Sequence, residues 1–284
     1  MFLEVILAHK REEILRRMME LPQAALEDMA AFMPAPRDFT SAITTPGLAV
    51  IAEVKRRSPS RGPLGSHIDA ARLSLLYEAG GAAAISVLTD SRHFGARERD
   101  LEAVRSSVGL PILRKDFIVS EYQVWQTRTM GADAVMLIAA ALQQAELARL
   151  VSLASSLGLC PLVEVHSEGE VDAALEAGAR VVGINNRDLG SFGVDLETTR
   201  RLAEMVPEEV AVVSESGISS PDQAASMRSW GADAILVGEA LVASSDPAGL
   251  IRSLRKVGAA AASRRHPLPG NDRHPVPDRR RRGP

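Results

Sequence analysis

The sequence predicts an α/β chain folded as a (β/α)8 TIM barrel with a helical N-terminal extension, and three observations carry that prediction. First, one phrase recurs at about fifty-residue intervals: Gly81-Ala-Ala-Ala-Ile-Ser-Val, Gly131-Ala-Asp-Ala-Val-Met-Leu, Gly178-Ala-Arg-Val-Val-Gly-Ile and Gly231-Ala-Asp-Ala-Ile-Leu-Val. In each copy a helical pattern stops at the glycine, as a left-handed C-cap requires, and a short apolar strand follows. Second, further apolar runs lie between the copies, at Leu48 to Val54, Leu110 to Leu113, Pro161 to Val165 and Val210 to Val213, which makes eight strands separated by helices. Third, these runs are apolar on both faces, as parallel strands covered by helical crossovers must be. Eight such units in roughly 210 residues fit a closed barrel. An open doubly wound sheet is the competing arrangement, and it lacks a Gly-x-Gly-x-x-Gly turn after the first strand.

From Phe2 to about Leu21, Leu3, Ile6, Leu7, Ile14, Leu15 and Met18 recur at helical spacing between charged residues, so the chain begins with an amphipathic helix. Pro22 follows it, and a second short helix is expected around Ala24 to Phe32, before Pro34 and Pro36. Residues 1–258 are expected to form a single barrel domain in which 1–47 is the extension. Residues 259–284 are basic, rich in Pro and Arg and nearly devoid of apolar side chains, so they are expected to be a disordered tail.

Composition narrows the function classes. With 284 residues, 46% of them hydrophobic, the chain can bury a substantial core. A net charge of -3 and a pI near 6.1 argue against nucleic-acid or membrane binding as the main activity. A single cysteine, Cys160, excludes an internal disulfide and any multi-cysteine metal site. Glu4 and the charged run after Leu7 are wrong for a signal peptide, and no apolar run reaches the roughly 20 residues of a membrane helix. A cytoplasmic protein is expected.

In a parallel barrel, chemistry collects at the C-terminal ends of the strands. The period of two places Glu53 and Lys55 on one face of the first strand, with Val50, Ala52 and Val54 on the other. Arg114-Lys115-Asp116-Phe117, Glu164-Val165-His166, Asn185-Asn186-Arg187-Asp188, Ser214-Glu215-Ser216-Gly217 and Val237-Gly238-Glu239 end later strands, while Val135 to Ile138 ends without a polar group. Charges gathered in one barrel mouth cost desolvation energy, so a catalytic site explains them better than scattered structural ion pairs. The glycine-bearing loops at Gly217 and Gly238 follow the last two strands, where barrels often bind phosphate. A lysine beside a second cation is expected to have a lowered pKa, and Lys55 beside Lys115 offers that arrangement.

These residues resemble the indole-3-glycerol phosphate synthase family over nearly the whole chain to about Gly258. The resemblance is carried by Ile51-Ala-Glu-Val-Lys-Arg-Arg-Ser-Pro-Ser-Arg-Gly62, Ile85 to Asp90, Leu113-Arg-Lys-Asp-Phe-Ile118, Leu162-Val-Glu-Val-His166, Gly183-Ile-Asn-Asn-Arg-Asp-Leu189 and Val213-Ser-Glu-Ser-Gly-Ile218. It implies closure of 1-(2-carboxyphenylamino)-1-deoxyribulose 5-phosphate to indole-3-glycerol phosphate, with loss of carbon dioxide and water and with neither metal nor organic cofactor. It also implies that the N-terminal extension covers part of the substrate site. By the same resemblance Lys115 is the general acid, Glu164 transfers protons, and Lys55 pairs with the substrate carboxylate. Glu53, Asn185, Glu215 and Ser216 form the polar support. Ser58, Arg187, Gly217 and Gly238 hold the phosphate or its loop, and Phe94 and Phe117 are walls for the aromatic ring. At position 239 some relatives carry a hydroxyl residue, and Glu239 would repel a phosphate unless it turned away.

The expected partner is therefore a phosphorylated small molecule, without nucleic acid or membrane, for a monomer or weak homo-oligomer that could meet other enzymes of tryptophan synthesis. Another phosphate-binding barrel enzyme, either a sugar-phosphate isomerase or a Schiff-base aldolase working through Lys115, is the alternative chemistry. A non-catalytic scaffold that holds a phosphorylated metabolite is the alternative class.

Overall fold

The computed structural model describes residues 2–58, 62–64, 68–97 and 99–256. Its centre is a closed barrel of parallel strands: β1 Ala49–Val54, β2 Ala84–Leu88, β3 Ile112–Lys115, β4 Ala134–Ile138, β5 Cys160–Val165, β6 Val181–Asn185, β7 Ala211–Glu215 and β8 Ala234–Val237. Each strand pairs with the next, and β8 returns to β1 through Ala49 opposite Ala234. That closure decides between the barrel and the open sheet, because an open sheet leaves two strand edges unpaired.

Strand parity divides the core in two. Val50, Ala52, Val54, Ile85, Val87 and Ile112 join a large cluster between strands and helices. Ala49, Ile51, Leu113, Met136, Leu162 and Val213 face inward and fill the barrel. Counting on by twos along the inward face leads from Ile51 to Glu53, from Leu113 to Lys115, from Leu162 to Glu164 and from Val213 to Glu215. The packed floor and the charged mouth are thus successive layers of the same strand faces.

The repeated phrase has a local cause. Gly81, Gly131, Gly178 and Gly231 all have positive φ, between 80° and 98°, so each ends a crossover where an L side chain would be strained. In two copies the aspartate after Gly-Ala has its own task. Asp133 accepts from the Ile112 backbone N–H at 2.8 Å, and Asp233 accepts from that of Val212 at 2.9 Å. Each ties the start of its strand to the strand before it.

Three helices precede the barrel: α1 Phe2–Glu20, α2 Gln23–Ala31 and α3 Phe39–Ile43. The first two lie within a residue or so of expectation. The third was not legible, because its five residues carry no usable period. Asp38 caps it by accepting from the Ser41 N–H, which satisfies one of the open donors of the first turn. Its Phe39 and Ile43 are buried with Ala49 and Ala84, and Thr40 Oγ1 lies 3.3 Å from Cys160 Sγ at the start of β5. This helix therefore closes the N-terminal end of the barrel. The tail expected at 259–284 lies outside the described residues.

Candidate active site

The opposite, C-terminal end of the barrel opens into a cavity of about 260 Å³, lined by both charged and apolar groups. Of the residues expected in the site, Glu53, Lys55, Phe94, Lys115, Phe117, Glu164, Asn185, Arg187, Ser216, Gly217 and Gly238 all line it. Glu215 does not reach the cavity wall; it has no exposed surface and lies beneath Lys115. The side chain of Ser58 lies outside the described residues.

Charges alternate across the mouth. Lys55 Nζ is 2.6 Å from Glu53 Oε1, and Lys115 Nζ is 3.4 Å from Glu53 Oε2 and 2.8 Å from Glu215 Oε2. A carboxylate thus stands between the two lysines, and the expectation that a second cation would lower the pKa of Lys115 is overturned. Burial alone would favour the neutral amine at Lys115, but Glu215, Glu53 and Glu164 outweigh it and hold the ammonium well above the usual lysine range. Burial works against the charged form of Glu53 as well, yet Lys55 and Lys115 keep its carboxyl below the ordinary value. Glu215 goes the other way. Burial, helped by Glu164 and Glu53, pushes it up to about 7 in spite of Lys115.

Glu164 has a different setting, since Asn185 Nδ2 donates to its Oε1 at 3.2 Å and His166 Nε2 lies 3.3 Å from the same oxygen. His166 is itself oriented by Glu170, which accepts from its backbone N–H at 2.9 Å and lies 3.2 Å from Nδ1. Burial would lower the His166 pKa, but Glu170 and Glu164 raise it. Both ring neighbours are carboxylates, so the imidazole is favoured as a cation.

Two glycines make room for this network. A β-carbon at Gly238 would overlap the Glu53 carboxylate, and one at Gly183 would overlap that of Glu215. Gly238 therefore serves Glu53 as well as the rim. Beside it Glu239 does not turn away: it lines the cavity, with Oε1 3.3 Å from Arg187 Nη2 and 4.0 Å from Lys55 Nζ. Attraction to two cations keeps the carboxylate inward. At the end of β7, Ser216 has φ 66°, a conformation that strains a residue with a β-carbon. Asn186 holds it there, with Nδ2 donating to the Glu215 carbonyl at 2.8 Å and the Ser216 carbonyl at 3.2 Å.

Phe94 and Phe117 both line the cavity, with ring centroids 6.0 Å apart and planes tilted by 36°. Leu3 and Ile6 of α1 line the same cavity, so the extension does cover part of it. Sequence reading missed these two and Asn186. Leu3 and Ile6 fit the apolar stripe of α1 and gave no sign of facing a cavity, whereas the doubled Asn185-Asn186 at a strand end was a usable signal.

The family profile described as indole-3-glycerol phosphate synthase matches residues 3–254. A protein of that name from Parafrankia sp. (strain EAN1pec) is 48% identical over 262 residues, covering 92% of this chain and 98% of its own. A second, from Roseiflexus sp. (strain RS-1), is 49% identical over 258 residues, covering 88% and 96%. Among solved structures, a thiamine phosphate pyrophosphorylase from Pyrococcus furiosus aligns with TM-score 0.55 at 22% identity, over 76% of this chain and 96% of that one. An N-acetylmannosamine-6-phosphate 2-epimerase from Clostridium perfringens also gives 0.55, at 18% identity, over 70% and 89%. At those identities the two structures speak for the barrel alone.

Proposed function

The chain belongs to the indole-3-glycerol phosphate synthase family, and on that premise we propose how its barrel mouth closes the indole ring of 1-(2-carboxyphenylamino)-1-deoxyribulose 5-phosphate. The observation that carries the reading is the position of Lys115, a half-buried ammonium held by Glu215 in a cavity whose lining also includes Phe94, Phe117, Arg187, Gly217 and Gly238. The substrate has matching parts: an aromatic carboxylate, a ketone and a phosphate.

In the first step the ring carbon that bears the carboxylate attacks the ketone carbon, and charge develops on the ketone oxygen. Lys115 delivers a proton to that oxygen. Lys55 pairs with the substrate carboxylate until it leaves as carbon dioxide, and the electron pair of the broken bond restores the aromatic ring. The new hydroxyl then leaves as water with a proton from the Lys55 ammonium, free once carbon dioxide has gone, while a proton from the methylene carbon next to nitrogen passes to Glu164 and completes the indole. Glu164 and one proton from solvent return the two lysines to their charged form. Asn185 orients Glu164, while Glu53, Glu215 and Ser216 fix the two lysines and the loop after β7. The Arg187 guanidinium and the loops at Ser58, Gly217 and Gly238 hold the phosphate, and that remote binding supplies orientation at the reacting carbons.

The competing aldolase chemistry needs a neutral lysine to attack a carbonyl, and the carboxylates around Lys115 favour its protonated form. A phosphorylated substrate does not cross membranes unaided, which supports a cytoplasmic setting; among the described residues no helix is long and apolar enough to span one. Within this reading the protein is a monomer or weak homo-oligomer that meets other enzymes of the pathway, residues 1–258 are the working domain, and 259–284 take no part in chemistry. Truncation after Ser263 should leave turnover unchanged.

The decisive experiment mixes purified full-length protein with the carboxyphenylamino-deoxyribulose phosphate and follows indole fluorescence together with carbon dioxide release. Both signals are expected. Bound ligand with neither signal would overturn the assignment, and a borohydride-trapped adduct would indicate the aldolase.

A further inference from the structure

Outside the reacting groups, one buried cation joins the extension to two strand ends at the mouth of the barrel. Lys10 of α1 is 2% exposed, with Nζ 2.9 Å from Asp90 Oδ2 and 3.0 Å from Asp116 Oδ1. Both carboxylates are themselves buried, at the ends of β2 and β3. Each continues to an aromatic residue that lines the cavity. Asp90 Oδ1 accepts from the His93 N–H at 2.7 Å and so caps the short helix Ser91–Phe94. Asp116 Oδ1 accepts from the Phe117 N–H at 2.8 Å.

We propose that Lys10 is a positioning residue for substrate recognition, setting the separation of Phe94 and Phe117 by bridging the two strand ends that carry them. The inference rests on the reading of these two residues as the walls that receive the aromatic ring. The bridge is stiff for a physical reason. A cation removed from water keeps its charge only where anions hold it; Glu13 of the same helix supplies a third at 2.9 Å, and moving either strand end would take one of the other two carboxylates away from this buried charge. Burial works against the Lys10 charge, yet Asp116 and Asp90 hold its pKa above the usual lysine range, so neutral pH does not release the bridge. The other oxygen of Asp116 accepts from Arg114 at 3.1 Å and from Thr89, the residue after β2, at 2.6 Å, so Asp116 is held in place and Lys10 adds the connection from it to Asp90, which caps the helix of Phe94. The same helix sends Leu3 and Ile6 into the cavity, so one helix carries both the bridge and part of the cover.

The test uses the full chain and two readouts: KM for the carboxyphenylamino-deoxyribulose phosphate and the inhibition constant of inorganic phosphate. Lys10→Met should raise KM about tenfold, in line with the cost of a displaced binding wall, and leave phosphate inhibition unchanged. Lys10→Arg, which keeps the charge, should recover part of the loss. Should Lys10→Met fail to fold, Asp90→Asn decides, because asparagine still caps the His93 N–H but offers Lys10 no charge; a raised KM with unaltered phosphate inhibition is again expected. An unchanged KM, or a parallel weakening of phosphate and substrate, would overturn the proposal. Phe94→Ala separates the two readings. If it leaves KM unaltered, the wall assignment fails; if it raises KM while the Lys10 and Asp90 variants do not, only the bridge fails.

Discussion

The Lys115 ammonium donates a 2.8 Å hydrogen bond to Oε2 of Glu215, joining β3 to β7 across the barrel through a carboxyl that has no exposed surface. The pair links two strand ends at the mouth of the barrel. Its two members differ in how they answer to pH: surrounding carboxylates hold the lysine proton firmly, whereas Glu215 titrates near 7.

That difference predicts a pH-dependent stability. The pKa of Glu215 is raised from 4.5 to about 7 by folding. Between those values the folded chain keeps a proton that the unfolded chain has released, so the contribution of this group falls as pH rises through the window. Urea unfolding at about pH 5 and about pH 8 should show wild type losing on the order of 1–3 kcal/mol more than Glu215→Gln. An equal loss in both proteins would contradict the assignment.

Lys115→Met should lower turnover by at least ~100-fold, the usual worth of a general acid, while inorganic phosphate still inhibits the residual reaction or is seen to bind by calorimetry. Methionine keeps most of the apolar stem, so the fold should survive. Near-normal turnover would refute the role given to this lysine.

Gly238→Ala should cost about 1–3 kcal/mol, the range for overpacking a filled site, and turnover with it, since the new methyl group would displace the Glu53 carboxylate that both lysines touch. Gly169 supplies the contrast. It lies in the helix Glu168–Glu176, where an added methyl group would meet nothing within 4 Å, so Gly169→Ala should leave activity intact and add a few tenths to ~1 kcal/mol of stability. Thermal unfolding and steady-state rates of the two variants check both statements.

Glu239→Gln should tighten inhibition by inorganic phosphate several-fold. The carboxylate now faces Arg187 at 3.3 Å and Lys55 at 4.0 Å, and an incoming anion must compete with it for those cations. The difference between variant and wild type should shrink as salt is added. Weaker phosphate inhibition in the variant would mean instead that Glu239 orders Arg187 for binding.

Much of this was legible because barrels are periodic. The repeated glycine marks where each crossover stops, and the step of two carries Ile51 to Glu53 and Val213 to Glu215 on one inward face. Strand-end reading therefore named most of the cavity. It failed where contacts are not local in sequence. Nothing around Lys10 says that its charge is met by Asp90 and Asp116, nothing in α1 separates a core-facing Leu3 from a cavity-lining one, and the five residues of α3 are too few for a pattern.

The sequence by itself determined the parallel barrel, the end of it that carries charge, and the residue types available for the reaction. These follow from local rules: periodicity, capping and the direction of parallel strands. Only the tertiary structure decided which charges meet. Glu53 stands between Lys55 and Lys115, and carboxylates hold the Lys115 pKa up; Glu239 turns inward toward Arg187; Gly238 is small because Glu53 needs the space. Coulomb energy falls with distance and rises with burial, and both quantities are set by strand ends brought together from far apart in the chain.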